Sequence, residues 1–338
     1  MIRFPLGKIP PEILQMTTFR YLGSKRDDVI LGPSRGEDAA IVRAHDQLLA
    51  LKCDPISGAI ERVGWLAIHI ASNNIATRGV RPNWVLSCIM LPKGSRQEVL
   101  EVICRQMDEA AKSLGISIVG GHSEITHGLD HPLVIAFSVG VVKGGRYVTS
   151  SGAKPGDKII LTKGAGIEGT AILASDRRKI LMERFGKIFV ERAEKYYDRI
   201  SVVKEALTAF ELGGVSAMHD PTEGGLAGGL HELCDASKAG FRVYEKNIII
   251  GKETLEICRF FRINPLILIG SGALLIVVKP KKAREVLKQL QSDGINSSII
   301  GEIVEDEKIR AVIKGDDSEE SLPRPLSDEL WVALERKF

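Results

Sequence analysis

The stretch GPSRGEDAAIV, residues 32–42, runs from a glycine-containing loop into two acids and then into an apolar segment. Gly32 and Gly36 have no Cβ, so the backbone of this loop could approach a ligand closely and fold over a polyphosphate. A surface loop that simply leads into a strand is the alternative, because short glycine patterns are poorly specific. The choice depends on what surrounds Asp38, the acid at the junction of loop and strand.

The segments AAIVRA and LLALKCD flank a short polar break, which predicts an antiparallel hairpin. If the turn is centred near Asp46, Asp38 and Asp54 lie opposite each other where the hairpin opens. Two carboxylates so placed repel each other unless a cation lies between them. With the hairpin taken into account, the sequence supports a ligand-binding loop and an ordinary surface loop about equally.

A predicted core helix that follows the hairpin ends in Asn73 and Asn74. Their amides could supply neutral oxygen ligands to a hard cation. His69 and Asn73 are four residues apart, however, and could simply bond each other on a polar face of the helix. Spacing alone favours that structural interpretation.

His122, Ser123 and Glu124 follow a predicted strand that ends in Gly120 and Gly121. The ends of strands are positions where α/β proteins often place ligands. A histidine at such a position can equally be a structural group whose hydrogen bonds are satisfied within the protein. His122 and Glu124 are therefore weaker candidates than Asp38.

The segment HDPTEGGLAGGLHEL carries the strongest local signal. Asp220 fits an N-cap, Pro221 the first helical position and Glu223 the third, which predicts a helix that begins here. Gly224 and Gly225 then lie in its first turns, where each glycine costs about 1 kcal/mol relative to alanine. Either another backbone packs closely there, or a phosphate accompanied by Mg²⁺ lies over the start of the helix.

The chain has 338 residues, 44% of them hydrophobic, and a net charge of +3, as expected for a folded protein with no general affinity for nucleic acid. A Ser, Gly and Pro-rich segment near Ser151 predicts two α/β or α+β domains, 1–150 and 151–338. No uninterrupted apolar stretch predicts a membrane span or an exported protein. The cysteines are odd in number and widely spaced, which predicts reduced thiols in the cytosol: Cys53, Cys88, Cys104, Cys234 and Cys258.

Several motifs, taken in order, resemble the superfamily of aminoimidazole ribonucleotide synthetase, thiamine-monophosphate kinase, selenophosphate synthetase and the hydrogenase maturation protein HypE. The resemblance covers nearly the whole chain and is closest to HypE. It rests on the segments GKIPPEIL, GEDAAIV, KCDPISG, SNNIATRGVRP, VGGHSE and DPTEGGLAGGL.

The resemblance implies a two-domain PurM-like α/β (α+β) fold whose N-terminal domain dimerises through its strands into a homodimer. It implies ATP in the cleft between the domains, with Asp38 and Asp54 as catalytic residues. It implies Mg²⁺ on the ATP phosphates, held at Asp38, Asp54, Asn74 and His122. The nucleotide-binding positions that it implies are Gly36, Glu37, Asp38, Asn74, Gly120, Gly121, His122, Asp220, Thr222, Gly224 and Gly225.

The family uses ATP to phosphorylate a small substrate or to activate an amide, carbamoyl or phosphate oxygen, and through HypE the resemblance implies a link to hydrogenase maturation. This chain departs from the family pattern, with Asn74 where an acid is usual, His122 where HypE has Asp, and no cysteine after Cys258. The expectation is an ATP-using, Mg²⁺-dependent HypE-like enzyme with an unassigned small substrate. The alternative is a nucleotide-binding regulatory or scaffold homologue without turnover. Asn74 disfavours thiamine-monophosphate kinase, and the absence of Cys-Gly-Lys near the N-terminus disfavours selenophosphate synthetase.

Overall fold

The computed structural model of the chain describes residue 4 and residues 6–336. Helices and strands alternate along this part of the chain, and the strands form two separate sheets. This arrangement confirms the predicted mixed α/β fold class. Within the same residues, no helix combines the length and the apolar character needed to cross a bilayer.

The chain divides into two compact units. The N-terminal unit consists of Asp28–Gly32 and Ala39–Tyr147. The C-terminal unit consists of Pro33–Asp38, the described residues up to Asp27, and those from Val148 onward. The sequence-based division into 1–150 and 151–338 differs from these units mainly at the N-terminus, where two segments group with the second half of the chain.

The N-terminal unit is built on a six-stranded sheet in the order β1-β2-β3-β6-β4-β5, counted over the described residues. The helices α2 and α3 pack on one face of this sheet, and the residues of β6 alternate between buried and half-buried. This alternation is typical of a sheet with one covered face. The elements are β1 Val29–Leu31, β2 Ala40–Ala44, β3 Gln47–Ile56, α2 Val63–Ala76, β4 Pro82–Pro92, α3 Gln97–Leu114, β5 Ser117–Thr126 and β6 Leu133–Val142.

The predicted hairpin exists, but its register differs from the prediction. Ala44 pairs with Gln47 across a two-residue turn, and the ladder ends with Ala40 opposite Leu51. The predicted pairing of Asp38 with Asp54 required a turn centred on Asp46, and it was wrong by one residue because two-residue loops are the commonest hairpin connections. Asp54 instead pairs with Ala136 of β6.

The C-terminal unit contains a seven-stranded sheet in the order β13-β12-β9-β11-β7-β10-β8, again counted over the described residues. Every residue of β10 is buried, as expected for an inner strand of a sheet covered on both faces. The elements are α1 Pro11–Met16, β7 Lys158–Thr162, α4 Ile167–Asp176, α5 Arg178–Phe185, α6 Lys187–Glu194, α7 Val203–Leu212, β8 Val215–His219, α8 Gly225–Ser237, β9 Gly240–Tyr244, α9 Lys252–Phe261, β10 Leu275–Val278, α10 Pro280–Ser292, β11 Ser297–Val304, β12 Arg310–Ile313, β13 Glu319–Ser321 and α11 Glu329–Glu335.

Candidate functional site

In the N-terminal unit, the structure brings Asp54 and Asn74 together. Asp54 lies on β3 and its side chain points toward α2, where the buried Asn74 donates from Nδ2 to Asp54 Oδ2 at 2.8 Å and to the Ile70 carbonyl at 2.9 Å. Lys52 Nζ lies 3.5 Å from Asp54 Oδ1, and the Asp54 side chain is 23% exposed. The pair therefore consists of one carboxylate with a neighbouring cation and an amide that donates to it.

His122 lies on the other face of the same sheet. Residues paired across neighbouring strands point to the same face, and consecutive residues of a strand point to opposite faces. Asp54 is in register with Ala136 of β6, whereas His122 is in register with Cys88 of β4 and through it with Ile135. The register therefore places Asp54 and His122 on opposite faces of the sheet. The role of each residue in holding Mg²⁺ stays a prediction.

The side chain of His122 is 67% exposed, and its Nε2 lies 3.2 Å from Glu124 Oε2. Gly120 and Gly121 precede it on the exposed strand β5, and a Cβ at Gly121 would lie 1.9 Å from the main-chain oxygen of Ser87. The close approach of β4 thus accounts for Gly121. Among the described residues, no three His, Cys, Asp or Glu side chains converge as a metal site would require.

The opening loop, Pro33–Asp38, belongs to the C-terminal unit and is held there by its own side chains. Arg35 donates to Asp235 of α8 and to Glu12, at 2.9 Å and 2.8 Å. Gly36 has a φ of +76°, and a Cβ there would lie 2.4 Å from the main-chain oxygen of Glu232. Glycine is required at this position because the loop passes directly against α8.

Glu37 fixes the end of the same loop. Its two carboxylate oxygens accept hydrogen bonds from the backbone N–H groups of Ser150 and Ser151, at 3.0 Å and 3.2 Å. These residues begin a short 3₁₀ turn, Ser150–Gly152, so Glu37 satisfies donors at its start. Loop Pro33–Asp38 is therefore a docked segment, and its first acid has a structural role.

Asp38 is the start of a chain of charged groups that surrounds a buried histidine. Its Oδ2 lies 2.8 Å from Nδ1 of His219, the last residue of β8, and accepts from Ser150 Oγ at 3.4 Å. On the other side of the ring, His219 Nε2 lies 2.9 Å from Glu232 Oε2 on α8. Burial alone would lower the pKa of His219, but the charges and hydrogen bonds of Asp38 and Glu232 outweigh it and raise the pKa to about 10.

Lys8 extends this chain. Its Nζ lies 3.3 Å from Glu232 Oε1 and donates to Thr222 Oγ1 at 2.9 Å, while its backbone N–H donates to Glu223 at 3.1 Å. Burial would raise the pKa of the Glu232 carboxyl, but the ammonium of Lys8 and the ring of His219 hold that pKa well below its usual range. We call the four residues Asp38, His219, Glu232 and Lys8 the charge chain. Its net charge is zero when all four are ionised.

The glycine-rich helix begins later than predicted. α8 starts at Gly225 with Gly224 as its N-cap, and Gly224 has a left-handed φ of 84°. The prediction of Asp220 as N-cap was wrong, because positive φ at Gly224 and Gly225 interrupts the helix that the capping pattern would have started. Asp220 is 1% exposed and precedes the helix together with Thr222, whose carbonyl accepts from the N–H of Gly225.

Close packing accounts for the glycines at this helix start. A Cβ at Gly225 would lie 2.6 Å from the main-chain oxygen of Leu268, and one at Gly229 would lie 2.7 Å from Cβ of Pro221. The sequence left open whether a closely packed backbone or a bound phosphate explains these glycines, and the structure shows the closely packed backbone. A phosphate at this position stays a prediction.

A carboxylate of the protein itself accepts hydrogen bonds from N–H groups at the start of α8. Asp328 accepts from the N–H groups of Gly224 at 2.6 Å, Ile269 at 3.1 Å and Leu330 at 2.8 Å. Burial nevertheless raises the pKa of Asp328 to about 7. The pKa of Glu168, buried nearby, is raised to about 8, mainly by burial and further by the charges of Asp328, Asp220 and Glu223.

Sequence reasoning missed most of the charge chain. His219 stands next to Asp220 in the quoted motif, and Lys8 stands in the quoted N-terminal segment, but no local pattern connects either residue with Asp38. The separations are 181 residues from Asp38 to His219 and 224 residues from Lys8 to Glu232. The end of β8, the docked loop and the middle of α8 come together only in the folded chain, so the sequence carries no signal for this arrangement.

Two relatives show the kind of protein that this chain resembles. A putative hydrogenase expression/formation protein of Methanocaldococcus jannaschii is 27% identical over 309 residues, covering 89% of this chain and 90% of the relative. The carbamoyl dehydratase HypE of Rhizobium leguminosarum bv. viciae is 28% identical over 249 residues, covering 72% of this chain and 69% of the relative.

Solved structures show the same fold. HypE in a HypE–HypF complex superposes with a TM-score of 0.77 at 22% identity, covering 93% of this chain and 99% of that one. HypE in complex with ATP superposes with a TM-score of 0.71 at 20% identity, covering 93% and 91%. The two-domain PurM-like fold predicted from the motifs is confirmed.

Family models match both halves of the chain. The N-terminal domain of AIR synthase related protein matches residues 36–142, and the C-terminal domain of the same family matches residues 154–314. The resemblance inferred from the motifs is thereby confirmed. The chain belongs to the AIR synthase related protein family, with HypE-like relatives.

Proposed function

We propose that this protein binds ATP with Mg²⁺ and uses it to phosphorylate or activate a small substrate, in a reaction related to that of the carbamoyl dehydratases. The observation that carries the proposal is the match of both family domains together with relatives named for hydrogenase maturation and carbamoyl dehydration. A carbamoyl oxygen is a poor leaving group, and transfer of a phosphoryl group from ATP makes it a good one. Stabilisation of the charge on the transferred phosphoryl group then dominates the rate.

In the described part of each unit, too few acidic residues come together to hold a magnesium ion by themselves. They fit an ion that binds together with the nucleotide. Mg²⁺ is commonly held by one or two carboxylates together with substrate phosphates. The N-terminal unit offers Asp54, whose partner Asn74 is neutral, and the described residues contain no larger acidic cluster of metal-binding geometry. When bound, Mg²⁺ would neutralise charge on the ATP phosphates, with Asp54 as its ligand in this unit.

The C-terminal unit offers the docked loop and Asp38 for nucleotide binding. Gly36 and Glu37 hold the loop on α8 and on Ser150, so their contribution to nucleotide binding is to fix the position of Asp38. The N–H of Gly224 already donates to Asp328, so phosphate is not expected to bind directly to that group. Thr222, next to the ammonium of Lys8, is the better candidate for contact with an anion in this segment.

Calorimetric titration of the purified protein with ATP, in MgCl₂ and in EDTA, tests the proposal. We expect binding with Mg²⁺ and much weaker binding in EDTA. We also expect Asp38→Asn to abolish phosphate release under conditions where the wild type shows turnover with its substrate. Absence of ATP binding under every divalent-ion condition would remove the proposal.

A second candidate function is a regulatory or scaffold homologue that binds nucleotide without turnover. It is favoured by Asn74, which places a neutral donor where the family usually has an acid. It predicts that ATP binding survives Asp38→Asn and that neither form releases phosphate. Turnover by the wild type that is lost in the variant would decide against it.

We also propose that the protein is a homodimer through the N-terminal unit. Strand β5 is an edge strand with exposed apolar side chains, and the neighbouring strand β4 adds others. An apolar edge of this kind normally has a partner, because unpaired edges promote association. The exposed residues are Trp84, Leu86, Ile118, Val119 and Ile125. Light scattering should give twice the chain mass for the wild type and one chain mass for Val119→Lys, and a monomeric wild type would overturn the proposal.

A further inference from the structure

Three arginine side chains of the C-terminal unit converge on one carboxylate, that of Asp235 on α8. Arg35 of the docked loop donates from Nε to Asp235 Oδ2 at 2.9 Å, and Arg310, the first residue of β12, donates from Nη2 to Oδ1 at 3.0 Å. Arg324, which follows β13, also donates from Nη2 to Oδ2. Three segments that are far apart in the sequence thus each bring a guanidinium group to the same place. We call Arg35, Arg310 and Arg324 the arginine cluster.

The arginine cluster carries more positive charge than the neighbouring carboxylates neutralise. Arg35 also donates to Glu12 at 2.8 Å, so within the described residues three positive charges face two negative ones, those of Asp235 and Glu12. Glu232, one turn earlier on α8, is already paired with Lys8 and His219. The excess of positive charge favours the binding of an anion.

The arginine cluster also has N–H donors that Asp235 does not use. A guanidinium group has five N–H donors, whereas in the described part of the chain Arg310 and Arg324 each donate to Asp235 through Nη2. Nη1 of Arg310 is buried without a hydrogen-bond partner among the described residues, and the thiol of Cys234, which Arg310 approaches, is only a weak acceptor. Because an unsatisfied buried donor is unfavourable, the cluster favours a ligand with several acceptor oxygens.

The arginine cluster is both accessible and held in place. The side chains of Arg35 and Arg324 are 30% and 28% exposed, whereas those of Arg310 and Asp235 are each 14% exposed. The guanidinium of Arg310 lies 5.7 Å from the centre of the buried Phe241 ring, which fixes its position. The cluster therefore has an open rim on a rigid base, so little conformational freedom would be lost on binding.

We propose that the arginine cluster binds a phosphate group, while Asp235 keeps the three guanidinium groups close together. The planar fork of arginine matches the oxygens of phosphate, and each guanidinium of a cluster can engage a different oxygen of this tetrahedral anion. The chemistry is the same for inorganic phosphate and for the phosphate of a larger molecule. The inference does not rest on the proposed function, because the cluster lies one turn of α8 away from Glu232 and shares no residue with the charge chain.

The first test is calorimetric titration of the full chain with inorganic phosphate and, separately, with pyrophosphate, in chloride buffer. We expect Arg324→Gln to weaken phosphate binding about 10–100-fold, because it removes a charged donor. The matched control is Arg242→Gln, which removes the same charge from a partly exposed pair with Glu319. Arg242 follows Phe241, which is in register with Arg310, so its side chain points to the opposite face of the sheet. We expect the control to bind phosphate as the wild type does.

Two results of this titration would overturn the inference. Absence of phosphate and pyrophosphate binding by the wild type would do so and would leave the proposed function untouched. Equal weakening in Arg324→Gln and Arg242→Gln would also do so, because net charge alone would explain it. If Arg324→Gln does not fold, Arg324→Lys, which keeps the charge but loses the planar fork, replaces it, and an affinity equal to that of the wild type would count against the inference.

The second test identifies the source of the phosphate group. Phosphate is titrated into protein saturated with Mg²⁺ and a non-hydrolysable ATP analogue. Unchanged phosphate affinity would show that the arginine cluster binds a phosphate group other than those of the nucleotide. Displacement by the analogue, together with weaker analogue binding in Arg324→Gln, would show that the group is the nucleotide's own. Displacement with analogue binding unaffected by Arg324→Gln would overturn the inference, since phosphate would then bind elsewhere.

Discussion

The two candidate acids of this protein, Asp54 and Asp38, illustrate two ways to hold a carboxylate. Asp54 lies on a strand, is partly exposed, and meets Asn74 only 20 residues further along the chain. Asp38 lies on a loop and is held by His219, a buried residue 181 positions away. The strand fixes the first acid through its backbone, whereas the second acid needs a network of charges to be fixed at all.

This difference has an energetic consequence. Charged groups in the interior are stable only while every partner is present, because an unpaired buried charge keeps its full desolvation cost. Exposed pairs exchange one partner for water at little cost. Substitutions that remove a partner of the buried His219 should therefore reduce stability strongly, and substitutions at Asp54 should reduce it weakly.

The largest effect is expected for Glu232→Leu. The substitution leaves Nε2–H of His219 without an acceptor and removes one of the two carboxylates that stabilise its charge. Breaking a buried pair on one side typically costs about 3–5 kcal/mol, to be measured by urea denaturation at neutral pH. The control is Glu256→Leu, which removes a partly exposed pair with Arg259, three residues away on the helical surface, and should cost under about 1 kcal/mol. Equal losses for the two variants would show that the charge chain is not a buried network.

The next effect concerns pH and the buried acid Glu168. Its pKa is raised from 4.5 to about 8, so the folded state keeps the proton to a higher pH than the unfolded state does. The resulting stabilisation is complete below about pH 4.5 and is lost as the pH rises through about 8. Glu168→Gln should therefore reduce the loss of stability between pH 5 and pH 8 by roughly 2–4 kcal/mol relative to the wild type.

Urea denaturation at several pH values measures this difference, and subtraction of the two profiles removes the contributions of groups that the variants share. Asp328 has a pKa raised to about 7 and acts in the same direction, so the variant should keep a residual slope. Parallel profiles for wild type and variant would show that Glu168 is ionised in the folded protein at neutral pH. Glu168 would then be an ionised carboxylate like Asp54, and the contrast between buried and partly exposed acids would not hold for it.

The same contrast explains what the sequence could and could not predict. The fold class, the hairpin and the helix that carries Asn74 follow from local periodicity and turn residues, and all three are present in the structure. The hairpin register was wrong by one residue, because periodicity locates a turn but does not decide whether its loop has two residues or three. A shift of this size is enough to change which side chains face each other.

The charge chain could not be predicted, because its members come from three separate parts of the sequence: Lys8, Asp38, and the segment that carries His219 and Glu232. The capping pattern at Asp220 was also misleading, since the residues that decide the start of α8 are the packed backbone at Leu268 and the distant acid Asp328. Asp328 lies 104 residues further along the sequence than Gly224 and is 1% exposed. The contacts of Asp328 and of the Leu268 backbone therefore decide where α8 begins, and they override the local capping pattern at Asp220.

The smallest effect on stability is expected for Asp54→Asn. The substitution removes the charge that faces Lys52 at 3.5 Å, a pair in which both side chains are 23% exposed, and such pairs contribute about 0.2–1 kcal/mol. Asn74 can still donate to the new amide oxygen, so its hydrogen bond is preserved. Denaturation should therefore show a loss under about 1 kcal/mol, whereas ATP binding in MgCl₂ should weaken, because the substitution removes the ligand proposed for the ion. Glu101→Gln, an exposed acid of α3 in the same unit that pairs with Arg105, should change neither quantity. A loss of stability comparable to that of Glu232→Leu would place Asp54 in a buried network of its own, and the two acids would then be held in the same way.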